Sequence, residues 1–362
     1  MGFKERREAI RKLQDIRGSK VLVHFLSDRR VARDVPILGM ITQLAGEAQP
    51  FIYDHLRLLG RTDKLDLVLH TRGGALDAVW PLVRLCRSMT GRFSVLVPMR
   101  ALSAGTMICL GADEVIMGPA AELSPIDPTT ANQFNPRDPA GNILPISVED
   151  VTSYFDLARE DEEKGAGLKS DEHILEVFKA LSSQVHPLAL GNVKRVHSQI
   201  RQIAKRLLKL HHPAEEDEER IDRAVKALTE ELYSHTHVIN REEASEILGD
   251  DMVPVPSDKV EGALWELYQH YAELFDLGRT FNIKEWMGEA EERALEAVGA
   301  AIETEAMSHL FKATSMIRRV PEIPKGIQVQ VPPGQRIPPI PGLPSGLNIE
   351  PISEGWYNND EV

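Results

Sequence analysis

Ser103 stands in VPMRALSAGTMICLGA (Val97–Ala112), after the apolar run FSVLVPM and before a stretch of small, oily residues. A hydroxyl at a strand-to-helix junction has two readings. It caps the helix, the commoner role of serine there, or it is a nucleophile displayed at a sharp turn. Upstream, LVLHTRGGALD (Leu67–Asp77) places Gly73 and Gly74 directly after a run of buried character. Glycine admits backbone angles that aim bare N–H groups into a cleft. A donor from Gly73 or Gly74, joined by the N–H of Ala104, makes an oxyanion hole, where losing one donor typically costs ~3 kcal/mol. Neither element is specific alone. A phosphate cradle is the weaker reading, because TRGGALD matches neither G-x-G-x-x-G nor G-x-x-x-x-G-K-[ST].

Positioning these residues needs alternating strands and helices. Residues 4–16 carry a narrow apolar stripe (Ile10, Leu13, Ile16) and predict an opening helix. KVLVHFL (Lys20–Leu26), KLDLVLH (Lys64–His70), FSVLVPM and EVIM read as strands, with helical spacing ending at Gly60 and again over Leu76–Met89. Pro81 falls at the edge of the first turn of that second helix, where it is tolerated, and Asp77 reads as its cap. This alternation predicts an α/β core with largely parallel strands. From Val148 to about Leu210 the pattern is helical, interrupted by the charged loop DEEKGAGLKSDE. PAEEDEER (Pro213–Arg220) reads as a solvated connection. ALWELYQHYAELF and Ile283–Met316 read as further helices, and the proline-crowded tail from Val320 as extended. The expected division is residues 1–255 as the main domain, with a helical segment at 148–235, then a helical extension at 256–319 and the tail at 320–362.

Composition narrows the function. A chain of 362 residues with 42% hydrophobic content buries a sizeable core. Its net charge of −13 argues against nucleic acid and against an anionic membrane surface as partners. Its two cysteines, Cys86 and Cys109, sit in apolar surroundings as buried hydrophobes of a reducing compartment. No run reaches the ~20 residues of a membrane span, and MGFKERREAIRKL has no apolar signal core. A cytoplasmic protein is expected.

LHTRGGALDAVWPLV, VPMRALSAGTMICLGADEVIMGPAAELSPIDP and INREEASEIL resemble, in order and spacing, the Clp-fold serine peptidases, in particular the serine dehydrogenase proteinase family. That family is related to signal-peptide peptidase A and ClpP within the crotonase-like superfamily. The resemblance is strong over about Leu65–Pro128, looser over Val185–Val255, and silent on the tail. It implies a spiral of ββα units, a nucleophile at Ser103, oxyanion donors from Gly73 or Gly74 and Ala104, a protein or peptide substrate, and a homo-oligomer. No cofactor and no metal are implied. With no nucleotide-binding motif in the chain, unfolding of substrates is left to a separate partner. Two departures stand out. ELSPIDP puts Ile126 and Asp127 near the place of the ClpP triad histidine, and Arg72 occupies a position where relatives commonly carry proline.

A serine hydroxyl needs a proton acceptor. The signal-peptide-peptidase branch uses a lysine, for which Lys164, Lys169, Lys179 and Lys194 are candidates; Lys194 lies in a segment where relatives return a helix to the core. Among histidines, His186, His235, His237 and His70 are candidates, with an unperturbed pKa near ~6.5 suited to the task. For each of these the bland role, solvated lysine or structural histidine, is the commoner one. Asp127 reads more simply as turn chemistry. His211–His212 and the HTH run lack a third ligand at a metal-binding spacing. Two other classes stay open: a non-catalytic assembly protein on a Clp-type scaffold, and a crotonase-like acyl-CoA enzyme using the same two donors for an enolate.

Overall fold

The computed structural model describes residues 2–29, 43–126, 129–159, 165–168, 170–212, 214–232, 237–321 and 345–359. Helix α1 (Phe3–Arg17) stops at Gly18, which takes the left-handed conformation at φ +59° and returns its N–H to Gln14 O. Strand β1 (Lys20–Leu26) follows, then α2 (Gln49–Leu59), β2 (Thr62–His70), α3 (Leu76–Ser88) and β3 (Thr90–Val97). Next come the short β4 (Arg100–Ala101), α4 (Ala104–Leu110), β5 (Glu114–Met117) and β6 (Glu122–Leu123). Pro81 lies inside α3, beyond its first turn, and removes one backbone bond there. The cap of α3 is Ala75 rather than Asp77, which sits in the first turn as a favourable acidic residue.

Strands β1, β2, β3 and β5 pair in parallel. Being buried on both faces, they have the continuous apolar runs that such strands require. One face carries α2, α3 and α4 together with α7 (Pro187–Leu208) and α8 (Glu218–Lys226). The other carries α1 and α10 (Asp258–Leu274). Between these lie the β7–β8 ribbon (Thr129–Thr130, Ile146–Ser147), α5 (Val148–Arg159), α6 (Asp171–Gln184) and α9 (Arg241–Leu248). Cys86 and Cys109 are buried, and burial pushes both thiols up, that of Cys86 to about 12.

The C-terminal third departs from the sequence reading. After α11 (Ile283–Met287), the stretch read as helix forms β9 (Glu292–Glu303) and β10 (Ser308–Pro321), and part of the tail forms β11 (Ser345–Asn358). The extension at 256–319 is therefore helical only in its first half. These three antiparallel strands extend the sheet from β1, giving the order β11-β10-β9-β1-β2-β3-β5. ERALEAVGAAIE is rich in helix formers, but the open edge of β1 supplies backbone partners and a buried face that outweigh local propensity. Strand β10 does signal itself: Phe311, Ala313, Ser315 and Ile317 are buried while Lys312, Thr314 and Met316 are not.

A buried clasp ties this addition to α1 and α10. Arg6 and Glu303, 1% and 0% exposed, form a bidentate pair (Nε–Oε2 2.9 Å, Nη2–Oε1 2.7 Å). The Tyr271 and Ser308 hydroxyls donate to the same carboxylate, each at 2.6 Å. Removing one partner of a buried pair strands the other charge. Arg6→Met is expected to lower stability to urea by about 3–5 kcal/mol, and adding Glu303→Met to recover most of that loss.

His24, in the middle of β1, is buried with neither ring nitrogen hydrogen-bonded among the described residues, and burial holds its pKa down to about 4. Between about pH 6.5 and pH 4 the unfolded chain therefore binds a proton that the native chain does not. Stability falls as pH falls through that window, by roughly 3 kcal/mol from this residue. In His24→Phe the dependence of urea midpoint on pH is expected to be shallower across the same window; an unchanged slope would refute this.

Candidate active site

The end of β2 and the entry to α4 are clipped together by main-chain bonds. Thr71 N–H donates to Arg100 O (2.9 Å) and Leu102 N–H donates to Thr71 O (3.0 Å). The chain then turns through Gly73 and Gly74. Gly73, at φ +108°, passes so close to the serine that an added Cβ would lie 3.0 Å from both Leu102 O and Ser103 Cβ. At Gly74, φ +153°, a Cβ would stand 2.3 Å from the main-chain N and O of Leu44. Leu44 runs alongside, its N–H donating to Gly73 O and its O accepting from Ala75 N–H, both at 2.8 Å. Only glycine fits either position.

Ser103 precedes the first residue of α4 with φ +51° and ψ −111°. Its hydroxyl makes no capping bond. A non-glycine residue at positive φ stores strain and persists only where its surroundings impose it. Here they do: Ser103 N–H donates to Ser124 Oγ (2.7 Å), and Ser124 N–H donates to Thr106 Oγ1 (3.1 Å). Thr106 Oγ1 in turn donates to Ala101 O at 2.8 Å. Sequence reasoning missed Ser124 and Thr106, whose only signal was polarity inside an oily stretch.

The N–H groups divide cleanly. That of Gly73 is engaged by Thr71 Oγ1 (3.0 Å) and that of Ser103 by Ser124. Those of Gly74 and Ala104 make no hydrogen bond among the described residues. Gly74 is exposed, as is the adjacent Arg72 side chain.

A charged network lies under the same turn. Arg100, three residues before the serine, donates from Nη1 to Asp28 Oδ2 (2.6 Å) and from Nε to Glu122 Oε2 (2.7 Å). His70 is fully buried, stacked on Phe25 at 4.2 Å, with Nε2 3.6 Å from Asp28 Oδ1. That separation is an electrostatic contact and not a hydrogen bond. Burial alone would raise the Asp28 pKa, but His70 and Arg100 overcome it and bring it down to about 2. Burial lowers the His70 pKa, with Asp28 opposing.

Of the sequence-derived residues, the fold brings Ser103, Gly73, Gly74 and Ala104 together. None of Lys194, His186 and His237 hydrogen-bonds Ser103. Lys194 is exposed on α7. His186 caps α7, its Nδ1 accepting from Leu188 N–H at 3.1 Å, and stacks on Phe134. His237 Nε2 faces both carboxylate oxygens of Glu243 at 2.8 and 3.0 Å. Lys179 pairs with Glu176 on the surface of α6. Lys164, Lys169, His235 and Asp127 lie outside the described residues. Ile126 is a core side chain, 2% exposed. Among the described residues no group of three or more His, Cys, Asp or Glu is arranged to hold a metal, and no helix is long and apolar enough to cross a membrane.

Residues 2–150 match the family of ClpP-like SDH-type serine proteinases, so the resemblance read from the sequence is shown over that span. Two uncharacterized proteins of Methanocaldococcus jannaschii are similar. One is 26% identical over 266 residues, covering 73% of this chain and 78% of the relative. The other is 28% identical over 178 residues, covering 48% and 58%. Similar solved structures include a membrane-bound stomatin-specific protease (13% identity, 59% of this chain and 75% of that one, TM-score 0.36). ClpP1 from Listeria monocytogenes is another (13% identity, 60% and 90%, TM-score 0.32).

The strain at position 103 is measurable. Ser103→Gly is expected to be more stable than Ser103→Ala by about 1–2 kcal/mol, since only alanine keeps a Cβ at positive φ. Equal urea midpoints would place that position in an unstrained conformation.

Proposed function

We propose that this chain, whose residues 2–150 match the ClpP-like SDH-type serine proteinases, is a serine peptidase that cleaves peptide bonds through an acyl-enzyme at Ser103. The observation that carries this reading is the pairing of a strained serine with two unengaged amides, Gly74 N–H and Ala104 N–H, at a glycine turn pressed against it. Gly73, the third residue named for the oxyanion hole, shapes the turn and leaves donation to its neighbour, because its own N–H is taken by Thr71.

In this mechanism Ser103 Oγ attacks the scissile carbonyl carbon and gives its proton to a general base. The carbonyl oxygen becomes an oxyanion facing the Gly74 and Ala104 amides, whose fixed dipoles need no reorganisation as charge develops. Collapse of the tetrahedral intermediate breaks the C–N bond, and the leaving amine takes the proton. Water then attacks the ester by the same route, releasing the new carboxyl terminus and restoring the serine. Lys194, His186 and His237 are the sequence-derived candidates for the base. The Ser124–Thr106 relay and the Asp28–Arg100–Glu122 pairs hold β4 and β6, the strands that Ser103 and Ser124 closely follow. Arg72, exposed beside the turn, bears on substrate choice through its charge. A homo-oligomer acting on protein or peptide substrates follows from the family resemblance, with substrate unfolding left to another protein.

A second reading, a non-catalytic assembly protein on this scaffold, is favoured by one observation: among the described residues no imidazole or ammonium hydrogen-bonds the Ser103 hydroxyl. One experiment separates the two. A fluorophosphonate probe is expected to label the native protein at Ser103, and Ser103→Ala is expected to abolish labelling and peptide hydrolysis. Equal labelling of the variant, or an unreactive native oligomer, overturns the peptidase reading. Among Lys194→Met, His186→Gln and His237→Gln, the true base is the one whose loss slows labelling by roughly a hundredfold or more.

A further inference from the structure

Helix α10 carries a pattern that the chemistry at Ser103 does not use. Asp258, Glu261, Trp265 and Tyr268 recur at the three- and four-residue spacing that lines side chains along one side of a helix. The first three, with Leu264, form one wall of an open groove of about 430 Å³. Pro98 and Pro119, just past the ends of β3 and β5, form the other. Trp265 is 45% exposed and stacks on Tyr268, with ring centroids 5.0 Å apart. Glu261 pairs with Arg241 (Oε1–Nη1 2.6 Å), whereas Asp258 is exposed and in no ion pair among the described residues. Gly262 also lines the groove, and a Cβ there would meet nothing within 4 Å. Glycine weakens a helix interior, and no contact inside this chain requires it. Its bareness leaves the groove open to the main chain of another segment.

Grooves lined by aromatic rings take extended proline-rich peptides, and a carboxylate at the rim favours a cation beside the prolines. This chain contains such a peptide. Residues 322–344, outside the described residues, hold seven prolines and two cations, Lys325 and Arg336, against one acid, Glu322, in a chain of net charge −13. In RIPPIPGLP, Pro338, Pro341 and Pro344 recur at every third residue, the period of a polyproline helix, with Arg336 just ahead of them. In that form the three prolines span ~19 Å, against ~15 Å for the stripe on α10.

Strand register decides which copy can supply the segment. Leu26, ending β1, pairs with Ala300, and Ala300 with Phe311. Strand β10 continues from there to Pro321, which pairs with Ser345. At ~3.3 Å per residue, the two ends of the segment stand ~33 Å beyond the carboxyl end of β1. The groove lies at that carboxyl end, since Leu96 is level with Val68 and Val68 with Val23, and it lies four strands to the side, ~19 Å away. Pro338, seven residues from Ser345, reaches only ~23 Å. The three prolines therefore fall short of their own groove and are presented to another molecule.

We propose that this groove binds the proline-rich segment 336–344 of a second copy of the chain. Its prolines pack on Trp265, Pro98 and Pro119, its main chain passes over Gly262, and Arg336 lies beside Asp258. The proposal does not depend on the chemistry at Ser103.

The test uses full-length chains. In the triple variant Pro338→Ser, Pro341→Ser, Pro344→Ser the segment no longer competes for the groove. A fluorescent peptide of residues 331–344 is expected to bind that variant, by anisotropy, with a dissociation constant of about 100 µM or tighter. Adding Trp265→Ala is expected to weaken binding at least about tenfold with an unchanged circular dichroism spectrum. If that chain does not fold, Gly262→Gln serves in its place, because its side chain enters open space in the groove, and the same loss is expected. To show exchange between copies, a Trp265→Ala chain carrying a photo-cross-linker at position 343 is mixed with the triple variant. Irradiation is expected to join residue 343 to the peptide containing Trp265, which only the other copy possesses. No binding of the free peptide, a folded Trp265→Ala that binds it normally, or a residue 343 that does not reach the groove of the other copy would each overturn the proposal.

Discussion

At Gly73 and Gly74 three stretches of main chain come closer than any side chain allows. The turn is held on one flank by Leu44 and on the other by Leu102 and Ser103, and a single methyl at either glycine would meet main-chain atoms or the serine itself. Sterics are unforgiving at such distances, whereas hydrogen bonds and ion pairs adjust. The contact therefore fixes how the end of β2, the entry to α4 and the segment at Leu44 stand relative to one another. It also decides which amides are consumed inside the fold and which are left unengaged.

The strained serine is a consequence of that arrangement and of the polar relay behind it. Ser124 takes the amide of Ser103, Thr106 takes the amide of Ser124, and Ala101 receives the Thr106 hydroxyl. Each bond is short-range, but together they tie β4, β6 and α4 into one unit in a setting where unmade bonds are costly. The ion pairs of Arg100 with Asp28 and Glu122 fasten that unit to the end of β1. The bond from Ser103 N–H to Ser124 Oγ, backed by this relay, opposes relaxation of position 103 out of positive φ.

The antiparallel addition works by another logic. A parallel sheet ending at β1 would present an unpaired edge, a hazard for association. Strand β9 covers it, β10 and β11 extend the sheet beyond, and Arg6, Tyr271, Glu303 and Ser308 anchor the addition through a carboxylate with all its partners in place. Within the addition the β9–β10 ladder shifts register at Gly299, while the pairing of β9 with β1 stays in step.

Local chemistry by itself determined the parallel core, the glycine turn, the serine junction and the helices from Val148 to Leu210. Periodicity, turn residues and short-range spacing act over a few residues, so they can be read without the fold. The strands over Glu292–Pro321 were hidden because Ala, Glu and Leu prefer helix until an open sheet edge pairs with them, and that edge lies more than two hundred residues earlier in the chain. Ser124 and Thr106 were hidden for a related reason: a hydroxyl's role depends on which distant amide reaches it. Which glycine amide stays unengaged, and where Lys194, His186 and His237 point, was likewise decided only by tertiary structure, since hydrogen-bond partnership is a property of positions in space.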